Sequence, residues 1–273
     1  MDRERHRDKV VIVTAGAHGI GAATVKRFLA EGANVMVGDI NAVGLAALVG
    51  ELAAGDRLAT RTTDVASLDS VEALVAATVE RYGRLDVLVN NAGTGVVGTV
   101  EEITPQDWQH VLDVSLSSVF YGARAALRHL RQTKGNMVNT ASISGLAANR
   151  SLNAYYAAKA GVVNLTRYLA IEHAHEGIRV NAVCPGPVDT RPELYAVPPL
   201  KAQYDANIPA GRVGVPDEIA AGISFLASND EASYISGHAL VIDGALTAWT
   251  GEPDQRPFHP DRPRAATGRQ KQP

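Results

Sequence analysis

The sequence contains almost no cysteine, no long apolar run and no marked excess of charge of either sign. Cys184 is the only cysteine among 273 residues, so no disulfide can form within the chain, which favours a reducing compartment. No apolar stretch approaches the length of a membrane span, and the N-terminal MDRERHRDK lacks the apolar region of a signal peptide. A net charge of −3 argues against nucleic acid or an anionic membrane as the main partner. We therefore expect a soluble, cytoplasmic protein, with no metal site predicted.

Short apolar runs alternate with longer amphipathic stretches along the chain. Helices are predicted in the amphipathic stretches, for example over 22–33 and 67–83. The apolar runs are rich in β-branched residues and continuous, which is typical of strands buried on both faces. Strands alternating with helices indicate an α/β protein with a doubly wound parallel sheet, the Rossmann fold. The predicted strands cover 10–15, 34–39, 85–90, 135–141, 178–183 and 239–243.

The chain shows no internal repeat and no linker before residue 248, so a single domain over 9–248 is predicted. Residues 1–8 form a charged N-terminal extension. Residues 249–273 are rich in proline and arginine and are interpreted as an irregular tail, which is either solvated or docked on a neighbouring subunit.

Several helix ends are marked by their capping residues. TPQD at 104–107 places Thr104 as the N-cap, Pro105 in the first turn and Asp107 at the capping-box position. Gly32 and Gly83 suit helix C-termini.

A glycine-rich turn, TAGAHGIG at 14–21, connects the first strand to the first helix. Glycines there allow the backbone to approach a pyrophosphate, which the helix N-terminus attracts with free N–H groups. Asp39 ends the second strand, where its carboxylate can accept both ribose hydroxyls of an adenosine or, alternatively, cap the next helix. His18 lies in the turn as either a neutral filler, the preferred interpretation, or a phosphate donor.

Two neighbouring tyrosines precede a lysine in YYAAK at 155–159. Tyr155 and Tyr156 are four and three residues before Lys159, so either lies on the lysine's face of a helix. Helix geometry alone favours Tyr155 only slightly.

TAGAHGIG, NNAG at 90–93, Ser142, YYAAK and PGPVDT at 185–190 occur in a fixed order and together resemble the short-chain dehydrogenase/reductase family, from about Lys9 to Ala245. The sequence departs from the family at Ala15, which stands at the first glycine of the turn. The family's catalytic Ser precedes its Tyr by thirteen residues, which selects Tyr155 rather than Tyr156; Tyr156 is expected to pack against the sheet, the cofactor region or another subunit.

The resemblance implies an oxidoreductase that transfers a hydride between NAD(H) and a secondary alcohol or ketone. Tyr155 would be the acid/base, Lys159 would lower its pKa and hold the nicotinamide ribose, and Ser142 would position the substrate oxygen. Asp39 would select NAD over NADP, Asp64 would meet the adenine and Thr190 the nicotinamide carboxamide. The implied cofactor-binding residues are Thr14, Gly16, His18, Gly19, Ile20, Gly21, Asp39, Ile40, Asp64, Val65, Asn91, Ala92, Gly93, Tyr155, Lys159, Pro185, Gly186, Val188 and Thr190.

Ser115 is a second departure, because the family usually has an asparagine at this position of its helix. The asparagine is associated with a helix kink that supports a water and a proton relay to Lys159 and Tyr155. A serine hydroxyl can bond to a carbonyl one turn back and bend a helix slightly. We therefore include Ser115 among the catalytic residues and expect altered proton delivery; a neutral substitution is the alternative.

The substrate pocket is expected beneath the segment 191–212, with Arg191, Tyr195 and Tyr204 as candidate contacts or lid residues. Val96, Val97, Asn149 and Asn153 are candidates for the opposite wall. A homotetramer is expected from the family. Two other functions stay open: a catalytically silent NAD-binding sensor or scaffold, and enoyl reduction, which is disfavoured because that branch spaces its Tyr and Lys more widely.

Overall fold

The computed structural model describes residues 4–190 and 197–252. Within them, seven parallel strands form one sheet in the order β3-β2-β1-β4-β5-β6-β7. The strands are β1 Val10–Thr14, β2 Asn34–Asp39, β3 Leu58–Thr62, β4 Val87–Asn90, β5 Asn136–Thr140, β6 Arg179–Pro185 and β7 Ala239–Ile242. The predicted Rossmann fold in a single domain is confirmed.

Helices cover both faces of the sheet, as a parallel sheet requires. One face packs on α1 (Gly19–Ala30), α2 (Ala42–Leu52) and α8 (Pro216–Ala227) around a core that includes Val25, Phe28 and Ile223. The other face packs on α3 (Leu68–Tyr82), α5 (Ser118–Thr133) and α6 (Asn153–His173). The remaining helices are α4 (Pro105–Leu112) and α7 (Pro198–Asn207).

The strand that the sequence analysis missed is β3. Only Leu58 of its five residues is buried, and β3 pairs with β2 alone as an edge of the sheet. The sequence LATRT therefore lacks the continuous apolar pattern of the central strands.

The predicted helix ends are confirmed. Thr104 and Asp107 form the capping box of α4, and Gly83 caps α3 with φ +78°. Gly32 follows α1 with φ +91°.

Residues 4–8 pack against the domain. His6 is 2% exposed and lies against Phe28, while Arg5 bonds to Glu31, Ser224 and Glu231. The proposed tail falls mostly on 253–273, outside the described residues.

The strand order reverses between β2 and β4, on either side of β1. Crevices at the carboxyl ends of parallel strands lie at this kind of switch point, which is where doubly wound proteins bind ligands.

Candidate active site

A cleft of about 690 Å³ lies at this carboxyl edge. It is lined by the segments that follow β1, β4, β5 and β6 and by the start of α6. The lining residues are Ala15, His18, Gly19, Ile20, Asn91, Gly93, Thr94, Gly95, Thr140, Ala141, Ser142, Leu152, Tyr155, Lys159, Pro185, Gly186, Pro187, Val188 and Thr190. Most of the predicted site residues therefore meet in one cleft, although the sequence separates them by more than 170 positions.

The glycine turn brings backbone close to backbone at one end of the cleft. A Cβ on Gly21 would lie 2.1 Å from the Ala15 carbonyl oxygen, so only glycine fits there, while Gly16 is packed against Val37. Gly19 and Ala15 both have positive φ, +53° and +50°. Ala15 therefore occupies a left-handed conformation that disfavours a residue with a Cβ, and the departure from glycine carries a strain that the sequence did not reveal.

The first turn of α1 has amide groups that no side chain caps. Its N-cap, His18, makes no capping hydrogen bond, and the turn contains no acidic residue. The His18 ring instead pairs with the Asn41 side chain, at 2.9 Å between Nε2 and Nδ2. This geometry agrees with the interpretation of His18 as a filler beside α2, and it leaves the helix N-terminus available to an anion.

Asp39 is almost fully buried at the end of β2, and both of its oxygens are engaged. Oδ2 accepts a hydrogen bond from the Ala17 amide and Oδ1 from the Asn41 amide, each at 2.9 Å. Asn41, not Asp39, caps α2, since its side chain accepts from the Gly44 amide. The alternative interpretation of Asp39 as a helix cap is wrong; its carboxylate ties the glycine turn to the start of α2.

The other adenosine-side candidates lie beyond the cleft lining. Asp64 follows β3, and its Oδ1 accepts from the Ala66 amide at 2.9 Å. Val65 is half-buried, whereas Ile40 is 71% exposed.

The segment after β4 is fixed to β1 by side-chain hydrogen bonds. Asn91 Nδ2 donates to the carbonyl oxygens of Thr14 and Ala15, and the Asn91 amide donates to Thr14 Oγ1 at 2.9 Å. Ala92 is buried, and a Cβ on Gly93 would lie 3.1 Å from Lys159 Nζ. Gly93 therefore leaves room for the lysine.

The segment after β6 forms the opposite wall. A Cβ on Gly186 would lie 2.7 Å from Asp243 Cβ, and one on Gly19 would lie 3.1 Å from Thr190 Cγ2. Thr190 thus approaches the glycine turn across the cleft. Pro185 and Val188 are buried beneath this wall.

Ser142, Tyr155 and Lys159 lie together at the inner end of the cleft. Lys159 is buried, and its Nζ donates to the Thr140 carbonyl oxygen at 2.7 Å and lies 5.6 Å from the centre of the Tyr155 ring. Ser142 is buried after β5, where its Oγ accepts from the Ser144 amide at 3.1 Å. The Tyr155 hydroxyl is hydrogen-bonded to the Ser142 side chain.

Burial is the main cause of the pKa shifts of Tyr155 and Lys159. Burial raises the pKa of Tyr155, opposed by its hydrogen bond with Ser142, and burial lowers the pKa of Lys159 to about 8. In the protein alone, removal of the phenol from water raises the pKa of Tyr155, and the expected lowering by Lys159 stays a prediction for the cofactor-bound enzyme.

Ser115 lies in a π-helical turn, Asp113–Ser117, which joins α4 to α5. Its Oγ donates to the Thr94 carbonyl oxygen and accepts from the Thr94 amide, both at 2.9 Å. The bond one turn back that we expected of Ser115 is made instead by Ser118, to the Val114 carbonyl oxygen. Ser115 thus fixes the cleft-lining Thr94 to the helix, and the π turn itself is the irregularity at this position.

A second cavity, of about 500 Å³, adjoins the cleft and shares Ser142, Leu152, Gly186 and Pro187 with it. Tyr156 lines this cavity beside the cleft, and its expected contact with another subunit stays a prediction. Its lining among the described residues is Ser142, Ile143, Ser144, Ala147, Ala148, Asn149, Arg150, Leu152, Tyr156, Gly186, Pro187, Tyr204, Leu246 and Thr247.

The predicted substrate walls are only partly correct. Asn149 and Tyr204 line the second cavity, whereas Val96, Val97 and Asn153 line neither space. Val96 packs beside α4 and α6, and Asn153 Nδ2 donates to the Gly98 carbonyl oxygen. Arg191 and Tyr195 lie outside the described residues. Leu246 and Thr247 were missed because they follow the last strand, far from any motif.

Two other features are absent from the described residues. In 4–190 and 197–252, no three His, Cys, Asp or Glu side chains are grouped as metal ligands would be. The same ranges contain no helix that is both long and apolar enough to span a membrane.

Comparisons with known proteins agree with this geometry. A family model described as enoyl-(acyl carrier protein) reductase matches residues 14–247. The chain is 39% identical over 249 residues to meso-2,3-butanediol dehydrogenase of Serratia marcescens, covering 91% of this chain and 98% of that protein. Levodione reductase of Leifsonia aquatica is 38% identical over 257 residues, with 89% and 96% covered. The crystal structure of gox2181 superposes with a TM-score of 0.85 at 36% identity, covering 91% of this chain and all of that one.

Proposed function

The chain belongs to the short-chain dehydrogenase/reductase family, whose members are nicotinamide-dependent oxidoreductases, and we propose that it interconverts a secondary alcohol and a ketone with NAD(H). The observation that carries this proposal is one cleft with an uncapped helix N-terminus at one end and Ser142, Tyr155 and Lys159 at the other. The helix N-terminus is what the pyrophosphate of a dinucleotide needs, and the three side chains are what proton transfer needs.

The residues present fit a dinucleotide. The amides at the start of α1 would receive the pyrophosphate, and the close-packed glycines leave its approach open. Asp39 would bind the adenosine ribose and repel a 2′-phosphate, which favours NAD over NADP. Asp64, Asn91 and Thr190 would contact the adenine, the ribose and the carboxamide. The nicotinamide supplies the hydride donor or acceptor.

The chain's own residues would manage the proton. Tyr155 would give a proton to the ketone oxygen or remove it from the alcohol, and Ser142 would hold that oxygen within reach. Because burial raises the pKa of Tyr155, the phenol stays protonated at neutral pH in the protein alone, which suits ketone reduction. Alcohol oxidation needs the phenolate, so its rate should increase with pH. A protonated Lys159 would favour that phenolate and hold the ribose hydroxyls.

Two alternatives are tested by the same assay. A silent NAD-binding sensor would need no proton donor, so the joint presence of Ser142, Tyr155 and Lys159 argues against it. The matching family model is described as an enoyl reductase, but the four-residue spacing of Tyr155 and Lys159 differs from the wider spacing typical of enoyl reductases.

The decisive experiment follows NADH absorbance while secondary alcohols are screened with NAD⁺. Tyr155→Phe should reduce turnover by at least ~10²-fold while NAD binding survives, since it removes only the ionisable hydroxyl. Tyr156→Phe is the matched control and should retain far more activity. A dead Tyr156→Phe beside an active Tyr155→Phe would overturn the assignment, whereas NAD binding without turnover of any alcohol or enoyl substrate would indicate the sensor.

We also propose a cytoplasmic homotetramer, as expected for the family. Large apolar side chains remain exposed on α5 and α6, namely Phe120 on the first and Tyr168 and Ile171 on the second, and an interface between subunits would cover them. Light scattering that gives the mass of a monomer at working concentration would refute the tetramer.

A further inference from the structure

The second cavity is the space into which a substrate bound at Ser142 would extend. Four residues, Ser142 among them, line both it and the main cleft, so the two spaces adjoin at Ser142. A substrate whose reacting oxygen lies beside Ser142 and Tyr155 therefore places the rest of its atoms against the lining of the second cavity. The chemistry of that lining selects the substrate.

The lining is mainly apolar, with a few hydroxyl groups and one positive charge among the described residues. Ser144, Tyr156, Tyr204 and Thr247 contribute hydroxyl groups. Arg150 is the one charged side chain among the described lining residues, and it makes no ion pair within the described part of the chain. A guanidinium without a carboxylate partner beside a substrate space is suited to bind an anion.

The turn that carries Arg150 is held at both ends. On one side, hydrogen bonds join the Tyr156 hydroxyl to the backbone of Asn149 and to the Ser144 side chain. On the other, Ser151 adopts a left-handed conformation with φ +69°, and its carbonyl oxygen accepts from the Gly98 amide at 2.9 Å. Backbone strain of this kind is maintained where surrounding contacts require one conformation. The second tyrosine of YYAAK thus positions the turn that presents Arg150.

Two of the described carboxylates near the cavity, Asp243 and Asp205, are already engaged by other groups. Asp243 lies behind Gly186, and its oxygens accept hydrogen bonds from the Ala245 amide and from the amide and hydroxyl of Thr247. On α7, which contributes Tyr204, Asp205 pairs with Lys201. Neither of these two acids forms an ion pair with Arg150.

Resting on the proposed function, we infer that the substrate is an oxo or hydroxy acid whose carboxylate is bound by Arg150. A single guanidinium matches the single charge of a carboxylate and can bind it through two parallel hydrogen bonds. The alcohol or ketone carbon then lies at Ser142 and Tyr155, and the carboxylate lies across the second cavity.

The test measures kcat/KM for 4-oxopentanoate, 5-oxohexanoate and 6-oxoheptanoate with NADH, each against its uncharged methyl ester. The acid should be preferred by about tenfold or more at the chain length that reaches Arg150, on the scale of a charged hydrogen bond. Arg150→Gln should remove most of that acid-to-ester preference, chiefly through KM. Arg150→Lys keeps the positive charge but cannot form two parallel hydrogen bonds to a carboxylate, so it should retain part of the acid-to-ester preference. Lys26→Gln, which removes a charge from an exposed position of α1, should keep the wild-type ratio.

The outcomes separate this inference from the proposed function. Turnover of acids and esters at equal efficiency at every length, or a preference that survives Arg150→Gln, overturns the role of Arg150 while the oxidoreductase stands. If the protein reduces none of the six compounds, calorimetric titration of 5-oxohexanoate and its ester into wild type and Arg150→Gln decides the point. Binding of the acid that Arg150→Gln weakens supports the site, and binding indifferent to that variant refutes it.

Discussion

Replacing Lys159 by methionine should make the cofactor-free protein more stable at neutral pH. Lys159 is buried, and its ammonium group has one hydrogen bond, to the Thr140 carbonyl oxygen. Burial lowers the pKa of this lysine from 10.5 to about 8, against a smaller opposing effect of Cys184. Methionine has a similar length and no charge, so it would occupy the same channel without the cost of desolvation.

The size and sign of the effect follow from the pKa. At about 1.4 kcal/mol for each pKa step, the fall from 10.5 to about 8 corresponds to a destabilisation of about 3 kcal/mol. Below pH 8 both the folded and the unfolded chain carry the proton, so this cost is present in full. Between pH 8 and 10.5 only the unfolded chain retains it, and the wild type gains stability as pH rises. Losing the bond to Thr140 offsets about 1–2 kcal/mol, which leaves Lys159→Met about 1–2 kcal/mol more stable at pH 7.

Urea denaturation without cofactor, repeated at pH values from 7 to 10.5, measures this difference directly. The advantage of Lys159→Met should shrink with rising pH and reverse between about pH 9 and 10, whereas Lys26→Met, an exposed control on α1, should show no such trend. Turnover should be lost in Lys159→Met alone. A difference that does not change with pH, or a variant less stable than wild type at pH 7, would refute the argument from desolvation.

Three further predictions concern the departures and the cofactor. Asp39→Ala should destabilise the glycine turn and reduce the preference for NAD⁺ over NADP⁺. Steady-state kinetics measures the ratio of kcat/KM with the two coenzymes in the wild type and in the variant. Equal efficiency of the wild type with both coenzymes would refute the role of Asp39. Ser115→Ala removes both hydrogen bonds to Thr94 and should lower the free energy of unfolding by about 1–3 kcal/mol. Ser115→Asn should leave the solvent isotope effect on turnover unchanged, because the serine hydroxyl is already fully engaged with Thr94. A smaller isotope effect with faster turnover in Ser115→Asn would restore the proton-relay hypothesis. Ala15→Gly relieves a left-handed alanine and should raise stability by up to about 1 kcal/mol, net of the unfolded-state entropy that glycine adds; thermal melting that shows no gain would mean that the turn does not strain alanine.

The central strands and the helix caps could be predicted because their signals are local. β1 and β4 are buried on both faces, so nearly every residue in them is apolar, and the Thr104 capping box uses side chains three positions apart. β3 could not be predicted in the same way. This edge strand has a single pairing partner and becomes more exposed along its length, and its sequence contains a charged residue where a central strand would have valine.

The available chemistry could be predicted from the chain alone, because it depends on the order of the motifs, on the spacing of thirteen positions from Ser142 to Tyr155, and on the lysine one helical turn later. The burial, the contacts and the pKa shifts of these side chains could be known only from the folded structure. Burial, which depends on chain segments far apart in sequence, raises the pKa of Tyr155 against the expected effect of Lys159. The fold also places Ser115 against Thr94 and Tyr156 in the lining of the second cavity, because it packs these helical residues against the segments that follow the strands.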